Sequence, residues 1–330
     1  MRRRRSSAAA ATVCYVVMLL VSLTSVARAQ LGRAEEGGLF LLVPVGARSI
    51  AVGQAVVAAQ LGSEAVWWNP AGLARSEKRE AAIHHSQTLL ATGDALTILI
   101  PSSLLGVAAL SVNILDFGNV DRTRGPDQPT GTILPRSIVY AATYGAPIGS
   151  RVNAGITYKV LQFRIDCSGD CADFPSISST TTALDFGLQY DFVDRLPITI
   201  GSSVRNLGLR LQVNDEDQAD PLPTRLQMGV LYRLAGLGSA ARPVDLHLSG
   251  DVVNELSLQA PSARLGADML VQKIVHLRAG YGFEGAETSG PAIGVGVVAG
   301  NLVVDVGRVF ERFSAGAGQA PTYLSLRYLF

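Results

Sequence analysis

The residues best suited to acid–base or nucleophilic chemistry are the four histidines, His84, His85, His247 and His276. A hydrolase needs a nucleophile beside a base, and a third group that orients the base. His247 has such neighbours, because Asp245, Ser249 and Asp251 share its face of an alternating segment. Such neighbours also pair without catalysis, and no Gly-x-Ser-x-Gly sequence is present. We predict a polar network and no enzyme; a surface hydrolase using His247 is the lesser alternative.

Cys167 and Cys171 have the chemistry of a metal ligand or a redox pair. They lie in a polar stretch, 166–179, which we predict to be a loop. A zinc site would need further His or Cys ligands, and none lies nearby. After export to an oxidising compartment we expect a disulfide, with free thiols as the alternative. His84 and His85 would point to opposite faces of a strand, so no metal site is predicted.

The stretch Gly294-Val295-Gly296-Val297-Val298-Ala299 resembles a dinucleotide-binding fingerprint. That fingerprint requires a strand, a tight turn and then a helix. Here the residues that follow, 301–309, alternate like another strand. The alternate glycines are therefore interpreted as small residues on the inner face of a sheet, and no cofactor is predicted.

The elements that position these residues are alternating segments that fill the chain from residue 80 to its end. In 182–192, for example, Leu184, Phe186 and Leu188 fall on one face, and polar or small residues fall on the other. A period of two is produced by a strand and not by a helix. We count about fourteen such segments, with boundaries good to a few residues. Short connections alternate with long polar ones, such as 116–135, 166–179 and 209–223.

Composition favours a membrane barrel over a soluble sandwich. Hydrophobic residues make up 48% of the chain and charged residues only 17%, and the long strands in even number can close without an edge. We predict an all-β fold, a transmembrane antiparallel β-barrel whose apolar faces meet lipid and whose polar faces line the lumen. Lumen-facing charges should pair with one another or hold an inner segment, and a solute pathway is the alternative. These polar candidates are Lys159, Asp185, Asp245, His247, Asp251, Arg278 and Asp305.

The two ends of the chain carry export and assembly signals. Arg2–Arg5, an apolar run and Ala27-Arg28-Ala29 form a predicted signal peptide, 1–29, with Gln30 as the mature N-terminus; an uncleaved anchor is the alternative. The last strand alternates to Tyr328 and Phe330, a pattern that barrel-assembly machinery would recognise. The 28 basic and 27 acidic residues nearly cancel, so no nucleic-acid partner is expected.

Residues 30–79 do not alternate and are predicted to form a compact hatch inside the barrel formed by 80–330. Pro70 excludes Asn69 from helical conformation, and the Asn69 side chain can close an Asx-turn. Pro70 suits the first position of a short helix, and Gly72 allows close approach. The hatch-motif candidates are Gly46, Arg48, Gly53, Trp67, Trp68, Asn69, Pro70, Gly72 and Leu73.

These motifs resemble one family. Gly46-Ala47-Arg48, Gly53-Gln54-Ala55 and Asn69–Ala74, with the strands that follow, are similar to the FadL-like outer-membrane barrels and, within them, to the PorV/PorQ branch. Leu61-Gly62-Ser63-Glu64 stands where many relatives carry an acidic pair. The resemblance implies a fourteen-stranded barrel in the outer membrane whose N-terminal hatch fills the lumen.

The resemblance also implies a function. A PorV-like protein would take part in type IX protein secretion or cargo docking at the cell surface, with secretion components and cargo proteins as partners. A FadL-like protein would instead be a channel for long-chain fatty acids or other hydrophobic small molecules. We expect the first, with the channel as the alternative and a purely structural barrel as the baseline. Outer-membrane lipid and the assembly machinery would be partners in every case.

Overall fold

A computed structural model describes residues 36–123, 129–171, 176–192, 196–212, 219–239, 242–255, 261–283, 289–310 and 320–330. The predicted signal peptide, 1–29, and the first six residues of the predicted hatch lie outside the described residues. The described part forms one compact unit, Glu36–Phe330. Its strands are β1 (Glu80–Gln87), β2 (Thr92–Ser102), β3 (Gly106–Asp116), β4 (Val120–Thr123), β5 (Pro129–Ile148), β6 (Val152–Gly169), β7 (Ile177–Asp191), β8 (Ile198–Gly208), β9 (Arg225–Ser239), β10 (Arg242–Glu255), β11 (Ser262–Val271), β12 (Val275–Phe283), β13 (Gly290–Ala299), β14 (Leu302–Val309) and β15 (Thr322–Leu329).

Fourteen of these strands close into an antiparallel barrel, as predicted. The last strand, β15, pairs with β14 on one side and with β1 on the other. β3 pairs directly with β5, so β4 pairs only with β5 and lies outside the closed ring. Closure gives each barrel strand two neighbours, which leaves no open edge in the hydrocarbon region.

Two of the predicted loops are partly strand. β5 begins at Pro129 inside the predicted loop 116–135, and β6 runs on to Gly169, so Cys167 lies in a strand rather than in a loop. The two strands stay paired from Ile148↔Val152 to Gly131↔Gly169. The prediction was wrong there because these strand ends extend beyond the apolar band. Strand pairing satisfies their backbone groups without an apolar face, so their polar sequence shows no period of two.

The connections distinguish the two ends of the barrel. At one end the strands are joined by connections such as 103–105, 272–274 and 300–301, and we call this the short-turn end. The chain also enters and leaves the barrel there, because Arg79 and Phe330 pair through their backbones at 2.9 and 3.1 Å. At the other end lie the longer connections, including 209–224 and 310–321, and we call this the long-loop end.

The predicted orientation of the two faces is confirmed. On β7, Phe186 and Leu188 are 42% and 49% exposed on the outside, whereas Asp185 and Gln189 are buried on the inside. The other strands expose large apolar side chains outward in the same way, including Leu110 at 68%. A lipid environment stabilises such a surface, which water would not. The aromatic pairs Tyr190/Phe192, Tyr281/Phe283 and Tyr328/Phe330 lie at strand ends with ring centroids 4.7, 4.5 and 5.8 Å apart.

The lumen is occupied by the hatch. Its elements are 3₁₀-helix Leu39–Leu42, α1 (Ala47–Ala51), 3₁₀-helix Gly62–Glu64, α2 (Ala65–Trp68) and 3₁₀-helix Pro70–Leu73. Nearly all side chains of 47–74 are buried. Among the described residues, none of the helices has the length and apolar character needed to cross a membrane.

Candidate functional site

Asn69 holds the centre of the hatch together and attaches it to the barrel. Its Oδ1 accepts the backbone N–H of Ala71 at 3.0 Å, which is the predicted Asx-turn, and Pro70 begins the short 3₁₀-helix that follows. Its Nδ2 donates to the carbonyl of Val57 at 2.6 Å and to that of Ser202, on β8, at 3.3 Å. Asn69 is fully buried. One side chain therefore joins two parts of the hatch to the wall.

Wall glycines let the hatch backbone approach closely. Pro70 lies over Gly145 and Gly155, which are paired across β5 and β6, and a Cβ on Gly145 would be 2.8 Å from the Pro70 carbonyl oxygen. A Cβ on Gly187 of β7 would collide with Asn69 Oδ1. Strand glycines of this kind mark sites where another backbone approaches.

The two positive-φ glycines of the hatch motifs are also needed for contacts. Gly46 has φ +98° and Gly53 has φ +63°, a region that side chains disfavour. A Cβ on Gly53 would lie 2.6 Å from the Tyr281 amide nitrogen of β12. Gly72 is packed within the hatch itself, where a Cβ would lie 2.8 Å from the Ala59 carbonyl oxygen. Leu73 is fully buried beside it.

Val57 is the second attachment point, and polar wall residues bind its backbone. Its N–H donates to Asp251 Oδ2 at 2.9 Å, and its carbonyl accepts from Gln189 Nε2 at 3.0 Å. Gln227 Nε2 donates to the same Asp251 oxygen at 2.7 Å. The predicted lumen residue Asp251 thus binds the hatch.

Glu64 organises the first helix of the hatch. Its carboxylate accepts the backbone N–H groups of Arg48 and Ser49 at 3.3 and 2.9 Å and also the Ser49 hydroxyl. Burial raises the pKa of the Glu64 carboxyl above its usual value, because the charged form loses hydration. Arg48 in turn donates to the Gln60 carbonyl at 3.1 Å. A Cβ on Gly46 would collide with the Glu64 side chain, so this position requires glycine.

Histidine 84 bridges the hatch and the wall. Its Nδ1 lies 2.8 Å from the Ser325 hydroxyl on β15, and that hydroxyl accepts the N–H of Ala47 at 2.9 Å. Its Nε2 lies 3.2 Å from the Ser63 hydroxyl. His85 faces outward, 2.8 Å from Asp94, so the adjacent histidines lie on opposite faces.

A chain of buried charges crosses the lumen face of β11 to β15. Arg278 contacts Asp268 at 3.1 Å and Asp305 at 2.7 Å. Asp305 also contacts Arg327 at 3.2 Å, and His276 lies 2.8 Å from Asp268. Each acid meets at least two basic side chains, so the burial of their charge is compensated. The predicted candidates Arg278 and Asp305 are therefore paired within the wall.

A second buried group lies on β6 to β8. Lys159 contacts Asp185 at 2.6 Å and donates to Asn206 Oδ1 at 3.0 Å. Nearby, Arg205 donates to the Trp67 carbonyl at 2.9 Å and lies 5.0 Å above the Trp68 ring. The Trp68 indole N–H donates to the Val45 carbonyl at 2.9 Å. The two contacts of Arg205 hold both tryptophans against the wall.

Among the described residues, the two acids that the sequence offered to His247 make other contacts. Asp251 binds Val57 and Gln227, and Asp245 accepts the N–H of Gly236 at 2.9 Å beside a bulge between β9 and β10. Both acids that could orient His247 are thus engaged elsewhere. Within the described ranges, no three His, Cys, Asp or Glu side chains form a metal-binding group.

Cys167 and Cys171 are joined in a disulfide at the end of β6, where the chain leaves this strand on the long-loop end. At the other end, Tyr328 and Phe330 are stacked and face outward, 50% and 53% exposed. The disulfide closes a segment of five residues, and the aromatic pair lies at the last strand of the barrel. A role of the pair in assembly stays a prediction.

The first described residues close the long-loop end from inside; we call Glu36–Val45 the cap segment. Gly37 donates its N–H to the Pro221 carbonyl of the 209–224 loop at 3.0 Å. Phe40 stacks on Phe163 of β6 with ring centroids 6.2 Å apart. A cavity of about 30 Å³ beneath the cap segment is bounded by Trp67 and Lys159, among others. The cap segment therefore covers the interior at the end where the loops are long.

One sector of the wall carries large apolar side chains on its inner face, among small polar ones. On β2, β3, β5 and β6 the inward residues include Leu99, Leu115, Val139 and Leu161, all at most 2% exposed. They form one cluster with Phe40, the hatch tryptophans and Leu73. The expectation that inward faces are polar thus holds only in part in this sector, because the hatch supplies an apolar partner that replaces water beside these four residues.

Several residues that attach the hatch were not among the sequence candidates. They are Ser63, Glu64, Glu80, His84, Gln189, Arg205, Gln227, Asp268 and Ser325. Those on strands occupy inward positions, so a polar residue in phase with the alternation was the available signal. Glu64 gave no signal of its own, because a carboxylate in a turn-rich segment is ordinarily solvated.

Comparisons place the fold among known barrels. No protein-family model matches the chain, and no curated protein does. Solved structures do match: the toluene transporter TbuX of Ralstonia pickettii (13% identity, 88% of this chain and 100% of that chain, TM-score 0.55) and the monoaromatic hydrocarbon channel CymD (14% identity, 88% and 98%, TM-score 0.55). The P. putida toluene transporter TodX matches at 10% identity over 87% and 99%, with TM-score 0.56. The chain is therefore a fourteen-stranded outer-membrane-type barrel with the fold of these hydrocarbon transporters.

Proposed function

We propose that this protein is an outer-membrane conduit for hydrophobic small molecules. The observation that carries the proposal is the apolar cluster that Leu99, Leu115, Val139 and Leu161 form inside the lumen, on β2, β3, β5 and β6. A water-filled pore for polar solutes has a polar interior. An apolar interior instead lowers the free energy of a hydrophobic solute that leaves water. The similar structures named above are toluene transporters and a hydrocarbon channel, which supports the same class of solute.

Entry from the long-loop end requires the cap segment to move. Phe40 occupies the apolar sector there and stacks on Phe163. A solute with an apolar surface would replace the contacts that Phe40 makes when the cap segment shifts. Beyond it, the hatch occupies the lumen, so passage requires a rearrangement of the hatch as well. Asn69 and Val57, which attach it, would remain the fixed points.

Localisation and partners complete the proposal. The signal peptide would direct export and be cleaved before Gln30, and the terminal Tyr328 and Phe330 would be bound by the barrel-assembly machinery. Outer-membrane lipid would then cover the exposed apolar band. No cofactor is invoked.

The test is uptake of a labelled hydrophobic solute, such as toluene, by cells that express the protein in their outer membrane. Phe163→Gln places a polar amide in the apolar entrance, and we expect uptake to fall toward that of cells without the protein. Phe283→Gln is the matched control, because Phe283 lies at the same end but on the outside, 49% exposed. Uptake equal to background with the unaltered protein, or equal loss in both variants, would refute the proposal.

A role in type IX secretion is the second candidate. It is supported by the similarity of the hatch motifs to PorV/PorQ proteins and by the filled lumen, which would suit a docking platform for exported cargo. In that case the immobilised folded protein should capture cargo tails or secretion components. Capture without solute uptake would favour this second function over the first.

A further inference from the structure

A cavity of about 130 Å³ lies between the hatch and strands β9, β10 and β11. Neither Asn69 nor the two phenylalanines of the apolar entrance, Phe40 and Phe163, line this cavity. One side of it is apolar, formed by Val52, Ala55, Val56, Ala59, Leu61 and Leu231. An apolar cavity of about 150 Å³ in another protein is large enough to bind benzene. The volume here thus suits a single aromatic ring.

The other side of the cavity carries two arginines. Arg48 of the hatch and Arg233 of β9 line it, together with the imidazole of His247 on β10. The ion pairs of the two arginines are loose, because Arg48 is 3.8 Å from Asp268 and Arg233 is 3.6 Å from Asp191, both longer than a hydrogen bond. Arg48 also donates one Nη1 hydrogen to the Gln60 carbonyl at 3.1 Å, but a guanidinium has five N–H donors. The remaining donors of each arginine can therefore bind an acceptor in the cavity.

The single acid on the cavity wall does not cancel this charge. Asp268 is held by Arg278 at 3.1 Å and by His276 at 2.8 Å, in addition to its loose contact with Arg48. Its charge is therefore compensated within the wall. The cavity presents an excess of positive charge beside an apolar surface.

We propose that this cavity binds a small aromatic carboxylate, with the ring against the alanine and valine side chains and the carboxylate between Arg48 and Arg233. Guanidinium groups match carboxylates in geometry and make charge-assisted hydrogen bonds to them. An uncharged hydrocarbon of equal size fills the apolar side but offers the arginines no acceptor. The inference rests on the proposed conduit function and names the ligand of one binding site, the cavity between the hatch and the wall.

The binding test uses the folded protein, purified in detergent, with benzoate as the probe and benzyl alcohol as its uncharged analogue. Calorimetry should show tighter binding of benzoate. Arg233→Met should weaken benzoate binding roughly tenfold or more, the effect of one charge-assisted hydrogen bond, and leave benzyl alcohol binding unchanged. Arg75→Met is the matched control, because Arg75 also contacts Asp191, at 3.7 Å, but does not line the cavity.

Each outcome of these measurements either supports or overturns the proposed benzoate site. Faster migration of the unboiled variants on a gel verifies that they are folded. Absent benzoate binding, equal binding of the two probes, or equal loss in Arg233→Met and Arg75→Met would overturn it. Toluene uptake without benzoate binding would refute this site alone. Benzoate binding without uptake of any hydrophobic solute would instead refute the conduit function while the site stands.

Discussion

Replacing Asn69 with alanine isolates the attachment of the hatch to the barrel. The substitution removes three hydrogen bonds, to Ala71, Val57 and Ser202, at 3.0, 2.6 and 3.3 Å. The Val57 carbonyl keeps Gln189 as a donor, but the buried Ala71 N–H loses the side chain that accepts it. Net hydrogen-bond contributions near 1 kcal/mol and a cost of about 1–3 kcal/mol for an unsatisfied buried group give a loss of about 2–4 kcal/mol.

That loss shifts the equilibrium between the attached and the detached hatch. Because about 1.4 kcal/mol corresponds to a factor of ten, the population of detached hatch should rise roughly 30- to 1000-fold. Hydrogen exchange of the 46–76 region, measured by mass spectrometry on the protein in detergent, reports this population through local opening. Exchange in the barrel strands should stay unchanged, since their ladders are intact.

The matched control is Asn153→Ala. Asn153 is equally buried in the lumen, but its Nδ2 donates to Asp191 of the wall, at 3.3 Å, and not to the hatch. In the Asn153→Ala variant, the rate of hydrogen exchange in the hatch should equal that of the unaltered protein. The reasoning would be refuted if Asn69→Ala left hatch exchange unchanged, or if Asn153→Ala accelerated it to the same extent.

Three further experiments test other parts of the structure. Gly187→Ala should accelerate hatch exchange because its Cβ collides with Asn69, whereas Gly250→Ala, whose Cβ would lie 3.4 Å from its nearest neighbour, should not; the same exchange measurement compares them. Asp305→Asn leaves two buried arginines undercompensated, at a cost of about 3–5 kcal/mol, and should lower the temperature at which the barrel loses its faster gel migration; an unchanged temperature would contradict the buried charge chain. Because the pKa of Glu64 is raised in the folded state, hatch attachment should be strongest at low pH and weaken as pH rises from about 4.5 through the folded pKa. Hatch exchange, corrected for its intrinsic pH dependence, should show this trend, and Glu64→Gln should abolish it.

The alternation of the sequence determined the class of fold. A period of two across about fourteen segments, with few charges and an even strand count, leaves a closed barrel as the structure that satisfies every backbone group in lipid. The Asx-turn at Asn69-Pro70 was predictable for a similar reason, since both residues restrict the backbone locally. Such features depend only on neighbours in the sequence.

What the tertiary structure decided is which side chains meet inside the lumen. The contact between Asn69 and Gly187, and the pairing of Arg278 with Asp305, join residues far apart in the chain. The alternation places a residue on the inner face but does not say whether it meets another strand, the hatch or a solute. The apolar sector shows this most clearly: Leu161 interrupts the polar inner face because Phe40, on a segment without any period, packs in the same cluster. The hatch has no regular repeat, so its path through the barrel, and with it every candidate site, follows from packing and not from pattern.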